Sequence, residues 1–97
     1  MVGDVYQNFA SVLAGQYLEL KPAAGREAVI HNVFHPNDVE LRMVDGSGNE
    51  LGFLQESGLN LVTNMYIHVS NTQYLRVYNM SGVTIYLAAD GIITKEV

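Results

Sequence analysis

The chain has 97 residues, of which 48% are hydrophobic and 15% charged, with nine glycines, two prolines and no cysteine. This length and composition predict one globular domain, and so small a domain buries only about 60 to 65% of the surface that its unfolded chain exposes. The net charge of −5 disfavours nucleic acid and anionic membranes as partners, because both attract positive charge. Without cysteine, disulfides and thiol chemistry are excluded. We therefore expect a single domain that associates with copies of itself.

The first fourteen residues allow more than one structure. Val5, Phe9, Val12 and Leu13 have helical spacing, whereas the nearby Gly15 favours an extended segment. Residues 1–14 are therefore predicted to be an N-terminal arm, a short helix or an edge strand, and residues 15–97 to form one β-sandwich domain.

From residue 17 onward, short segments alternate polar and apolar residues or are rich in β-branched and aromatic ones, as in half-buried strands. A hairpin turn is predicted at 45–49, where Gly46 and Gly48 tolerate positive φ, and further turns at 71–72 and 90–91. The pattern predicts an all-β fold, an antiparallel β-sandwich or barrel of seven to eight short strands, with a jelly roll as one such arrangement. The predicted strands are 17–20, 27–34, 38–44, 50–55, 65–70, 73–78, 83–87 and 92–95.

Three strands of the second half, taken as neighbours, place aromatic and basic residues on their outward positions. The set is Tyr66, His68, Tyr74, Arg76, Tyr78 and Tyr86. Tyrosine and arginine are enriched in interfaces, which predicts a subunit or partner interface. Two alternatives stay open: a platform on which tyrosine rings stack against a sugar, and cross-strand pairs that only stabilise the sheet.

The histidines and acidic residues do not predict a catalytic or metal site. His31 and His35 are four residues apart, which in a strand separates them by roughly 13 Å, too far for one metal ion. His31 is instead expected to be buried and hydrogen-bonded to the backbone. The sequence has no nucleophile elbow, zinc-protease motif or phosphate-binding loop. We expect no enzyme activity, cofactor or bound metal.

Several segments between residues 17 and 96 resemble small all-β virion accessory proteins of tailed bacteriophages, such as capsid decoration proteins or fibre-associated domains. The similar segments are 17–27 (YLELKPAAGRE), 29–33 (VIHNV), 38–41 (DVEL), 45–46 (DG), 68–71 (HVSN) and 74–77 (YLRV), followed by Asn79, Ser81-Gly82 and 90–96 (DGIITKE). The resemblance implies a non-enzymatic structural protein of the virion that stabilises a capsid. Such a protein is assembled in the host cytoplasm, and no leader or membrane span is predicted from the sequence.

A decoration protein self-associates and docks on the phage major capsid protein or another virion protein. A homo-oligomer is therefore expected, with a trimer favoured because it matches a three-fold site of a shell. The tyrosine-rich set would form the subunit interface. The capsid-docking arm would consist of Val5, Tyr6, Phe9, Val12 and Leu13. The alternative function is a carbohydrate-binding, lectin-like module or a tail-fibre domain that recognises the host through a glycan.

Overall fold

The computed structural model describes residues 1–96, and all regular secondary structure in this range is β-strand, which confirms the all-β prediction. No helix that could cross a membrane is found in the same range. The nine strands of the described residues are β1 (Val5–Val12), β2 (Tyr17–Leu20), β3 (Arg26–His35), β4 (Val39–Asp45), β5 (Glu50–Glu56), β6 (Asn60–Val62), β7 (Ile67–Ser70), β8 (Gln73–Asn79) and β9 (Ile85–Glu96).

The strands form two antiparallel sheets that pack as a β-sandwich. The first sheet has the order β1-β9-β3-β6, and β7 also pairs with β3; the second has the order β2-β8-β4-β5. β6 and β7 pair with different halves of β3, on the side away from β9. Counted as one interrupted strand, they leave eight strands in orders 1-8-3-6 and 2-7-4-5. This is the double-sheet arrangement of a jelly roll.

The hydrophobic core lies between the sheets and follows from the period-two pattern of the strands. Leu20, Leu41 and Leu75 come from the second sheet, and Ile30 and Leu87 from the first, all without exposed surface. Their neighbours in sequence along each strand point to the two outer faces, where polar and aromatic residues alternate with the core. The inner positions therefore hold the sandwich together and leave two outer faces for contacts with other molecules.

The hairpin predicted at 45–49 is confirmed, because β4 pairs antiparallel with β5. Asp45 closes the turn by accepting hydrogen bonds from the amides of Ser47 (2.8 Å) and Asn49 (3.0 Å). Gly48 has a φ of 86°, which favours glycine. Local turn chemistry was sufficient to predict this part of the fold.

The predicted adjacency of segments 65–70 and 73–78 is wrong. The two-residue connection at 71–72 does not close a hairpin; it carries the chain from β7 in the first sheet to β8 in the second. β8 pairs instead with β2 and β4. A short link between two alternating segments fits both a hairpin and a corner between sheets, and the partners elsewhere in the chain decide which one forms.

The turn predicted at 90–91 is also wrong, because β9 runs through it without interruption. Gly91 pairs with Tyr6 of β1 on one side and with Ile30 of β3 on the other. β3 has a register shift between Ile30 and Asn32, where His31 is the additional residue of a bulge. Glycine serves here for close approach of two backbones. The segment that forms β6, between predicted strands, was not predicted.

The N-terminal segment belongs to the sandwich. β1 pairs with β9 along its whole length, from Val5 opposite Ile92 to Val12 opposite Ile85. The amino group of Met1 lies 2.9 Å from a carboxylate oxygen of Glu96, so the first strand and the last bring the two ends of the described chain together.

Candidate functional site

The outer surface of the first sheet carries a row of apolar residues that crosses four strands. Phe9 of β1 and Phe34 of β3 both lie opposite Ala88 of β9, and Phe34 also lies opposite Leu61 of β6. With strands about 4.8 Å apart, such a row is about 14 Å wide. Tyr86 lies beside it, with its ring centroid 5.6 Å from that of Phe9. We name Phe9, Phe34, Leu61, Tyr86 and Ala88 the apolar face.

The apolar face is exposed although its residues are hydrophobic. Phe9 and Tyr86 keep 61% and 63% of their surface accessible, and Phe34 keeps 40%. Single exposed hydrophobic residues are common on soluble proteins, but contiguous patches mark sites of interaction. Here the register of four strands makes the residues contiguous.

A groove of about 440 Å³ runs along the apolar face. Phe9 and Tyr86 line one part of it, and Phe34 and Pro36 another. His35 also lines it; this side chain is 2% exposed, and its Nδ1 donates a hydrogen bond to the carbonyl oxygen of Asn37 at 3.0 Å. The prediction of a buried, backbone-bonded histidine at His31 is wrong: His35 has that role, and His31 is half-buried in the bulge of β3.

Neither the groove nor the apolar face contains a charged side chain: none of their described residues is Asp, Glu, Lys or Arg. The next row of the sheet is polar, with Asp90 accepting a hydrogen bond from Asn32 at 2.6 Å. An apolar surface without charged side chains, bordered by polar ones, is the usual anatomy of an interface core and rim.

The outer surface of the second sheet has the opposite character. Five charged residues, Glu19, Glu40, Arg42, Glu50 and Arg76, lie on β2, β4, β5 and β8 and form a connected network that we name the charged face. Arg42 Nε donates to Glu40 at 2.5 Å, and Arg42 Nη1 donates to Glu50 at 3.1 Å. Arg76 bonds both Glu50 and Glu19. The two arginines thus link all four strands.

Glu50 is the centre of this network. Its Oε2 accepts hydrogen bonds from the Tyr78 hydroxyl at 2.6 Å and from Arg76. The Tyr78 hydroxyl, followed by the Arg42 and Arg76 guanidinium groups, holds the pKa of Glu50 below its ordinary value. Glu50 is therefore ionised at neutral pH and has no proton to donate. The arrangement suits the cross-linking of strands better than acid catalysis.

Two tyrosine rings on the outer surface of the second sheet each have an arginine of the charged face over them. The Arg42 guanidinium lies 3.9 Å from the ring centroid of Tyr78, and that of Arg76 lies 4.2 Å from the centroid of Tyr17. The two tyrosine rings also contact each other, with centroids 5.0 Å apart. Each of these rings therefore has a guanidinium over one of its two faces.

A third cluster surrounds Tyr66, which is 69% exposed. Its ring is approached edge-on by His31 at 5.9 Å and by His68 at 5.4 Å between centroids. Among the described residues, no group of three or more His, Asp or Glu side chains has an arrangement that could hold a metal ion.

The structure divides the six residues predicted to share one surface among separate places. Tyr66 and His68 form the cluster with His31. Arg76 belongs to the charged face, and Tyr78 contacts that face through Glu50 and Arg42. Tyr86 belongs to the apolar face. Tyr74, expected to be exposed, is only 8% accessible, with the Lys21 ammonium 4.8 Å from its ring centroid. The single surface was wrong because β8 lies in the other sheet. An interface role for each residue stays a prediction.

The residues predicted as a docking arm point to both sides of β1. Val5 and Phe9 are exposed, while Tyr6 and Val12 pack against the core; Leu13 lies just after the strand and is exposed. Phe34 was missed as a surface residue. It lies between the buried Val33 and His35. Because side chains alternate along a strand, this position could have identified Phe34 as a surface residue.

Comparison of the chain with protein-family models finds no match, and comparison with curated proteins finds none either.

Proposed function

We propose that this chain is a non-enzymatic structural protein of a bacteriophage virion, a capsid decoration protein that self-associates and docks on the shell. The observation that carries the proposal is the apolar face, which has the composition of an interface core. A decoration protein needs a rigid domain with a surface for other proteins, and it needs no reaction centre. The apolar face supplies that surface.

The topology and the electrostatics support the same function. Double-sheet jelly rolls recur in viral capsid and lectin domains, an analogy of fold that by itself does not specify a function. The net charge of −5 favours partners other than nucleic acid. The charged face has its cations paired with glutamates, so it offers no free basic patch.

The proposal is tested by where the protein is found. Virions of the phage that encodes the chain would be purified by density-gradient centrifugation, and their proteins quantified by mass spectrometry. We expect the chain to band with intact particles in a fixed ratio to the major capsid protein. Recovery only from the soluble fraction of the lysate would contradict the proposal.

A variant of the apolar face makes this test specific. Phages carrying Phe34→Glu should have particles depleted in the protein, whereas Phe53→Glu should leave its amount unchanged. Phe53 is 41% exposed, close to the 40% of Phe34, but it lies on β5 in the second sheet. Equal incorporation of the two variants would show that assembly into the virion does not depend on the apolar face.

A further inference from the structure

We propose that the apolar face binds a second copy of this chain, forming a two-fold symmetric dimer in which the first sheets of the two copies pack face to face. The inference rests on the proposed function only in that both use this face for assembly. It identifies the occupant of the face and the symmetry of the contact.

The distribution of charge makes the apolar face the surface on which two copies of this chain can meet with the least repulsion. Two chains of net charge −5 repel each other, and the repulsion is weakest where the facing surfaces carry no charge. The apolar face and its groove contain no Asp, Glu, Lys or Arg side chain among their described residues. The charged face brings three glutamates and two arginines, so pairing it with itself would place like charges together.

The exposed area is of the size expected for the centre of a dimer interface. A large aromatic side chain buries about 150 to 250 Å² when fully covered. With the exposures of Phe9, Phe34 and Tyr86, the three rings alone leave on the order of 300 Å² of accessible surface. A standard interface covers about 800 Å² on each partner, with a polar rim around an apolar core. Gln7, Asp90 and Asn32, in the adjacent row of the sheet, supply part of such a rim.

The symmetry follows from the use of one face. A patch that binds the same patch on another copy makes an isologous contact, which is complete at two copies. A trimer requires each chain to offer two different patches. The geometry of a single continuous face therefore favours a dimer over the trimer expected from the resemblance.

The experiment is sedimentation equilibrium of the purified full chain across the micromolar range. We expect a mass twice that of one chain at the upper concentrations. Phe34→Glu should weaken dimerisation by at least about tenfold, because a buried charge at an interface core is costly. Phe53→Glu should dimerise like the wild type.

A second variant protects the test against misfolding. Tyr86→Thr places a β-branched residue, which favours strands, in β9 and removes an exposed ring. The variant should therefore fold normally and still weaken the dimer by a similar factor. Circular dichroism and urea unfolding of each variant check the fold. A wild type that stays monomeric, or equal weakening by Phe34→Glu and Phe53→Glu, would overturn the dimer. Virion incorporation of a monomeric wild type would overturn the dimer and the self-association, and would leave docking on the shell standing.

Discussion

Gly91 has no side chain, and this allows β9 to pack closely against its neighbouring strands. It lies in the middle of β9, between β1 and β3. A Cβ atom at this position would clash with the Val29 carbonyl group, whose carbon would be 2.8 Å away, and would lie 2.9 Å from the Ile30 Cα. Neither obstacle is a flexible side chain. The bulge of β3 and the glycine of β9 are therefore two parts of one local structure.

We expect Gly91→Ala to destabilise the fold by about 2 to 3 kcal/mol, because the backbone of β3 must move to admit the methyl group. Gly82→Ala is the control, since a Cβ at Gly82 meets no atom within 4 Å. Urea unfolding of both variants checks the difference. A Gly91→Ala protein as stable as Gly82→Ala would show that β3 adapts freely.

Asn79 is a buried polar residue that ties four segments together. Its Nδ2 donates to the carbonyl oxygens of Val12 (3.0 Å) and Val83 (2.7 Å), and its Oδ1 accepts from the Ser81 amide at 2.9 Å. Its backbone amide also donates to the carbonyl of Gln16. This role could not be predicted from the sequence, because no local pattern indicates that an asparagine side chain reaches residues near the other end of the chain.

Asn79→Ala should lower the free energy of unfolding by about 3 kcal/mol, because several buried polar groups lose their partners at about 1 to 3 kcal/mol each. Asn71→Ala removes one longer hydrogen bond, 3.4 Å to the Pro22 carbonyl oxygen. It should change the free energy of unfolding by less than about 1 kcal/mol. Thermal and urea unfolding distinguish the two. Equal losses would mean that the bonds of Asn79 contribute little.

Among the elements, the charged face joins β2, β4, β5 and β8 by ionised groups, so its contribution depends on pH. The pKa of Glu50 is lowered as described above, and that of Glu40 is lowered by the Gln55 amide and then by Arg42. A carboxylate with a lower pKa in the folded state stabilises it above the ordinary value and loses this contribution as pH falls through the folded value.

We therefore expect the free energy of unfolding to fall as the pH drops below about 4.5, the ordinary value for glutamate. Glu50→Gln should be less stable than the wild type at pH 7, and the two should converge in acid. Glu56→Gln, at the other end of β5 and outside the charged face, is the matched control. Urea midpoints between pH 7 and 3 provide the comparison, and parallel curves for wild type and Glu50→Gln would refute this role of Glu50.

The two sides of β1 have different roles. One side packs against the core, and the other is exposed at the surface. Tyr6, Ala10 and Val12 pack against the core, whereas Val5 and Phe9 are exposed. Removal of residues 1–12 would leave β9 as an unpaired edge and open the core.

The deletion of residues 1–12 should therefore abolish cooperative unfolding or cause aggregation, whereas Val5→Thr with Phe9→Thr should retain the wild-type fold. Calorimetry and light scattering check both. A truncated protein with the wild-type melting temperature would show that β1 is an accessory to the sandwich.

The strands illustrate how much of the fold and of the candidate site could be predicted. Alternation located β2, β3, β4 and β5 to within a residue or two, because side-chain direction in a strand is a local property. Pairing is not local: β8 lies between β2 and β4, at large separations in sequence. The apolar face depends on such pairing, since Phe9 and Phe34 become neighbours only through Ala88 of β9.

For the whole molecule, the strength of self-association should increase with ionic strength. Salt screens the repulsion between two chains of net charge −5, while contact between apolar faces does not depend on ion pairs. Sedimentation equilibrium at low and at high sodium chloride tests this. Weaker association at high salt would point to contacts through ion pairs, and hence to the charged face.

Met1 and Glu96 form an ion pair at one end of the first sheet. This contact has a consequence for the connectivity of the chain. A short linker could join the two ends of the described chain, and the 45–49 turn could be opened instead, without changing any strand pairing. A circularly permuted protein should therefore reach the same sandwich. By the same geometry, this domain could be inserted into a surface loop of a larger protein, with both connections leaving from one edge and the apolar face still uncovered.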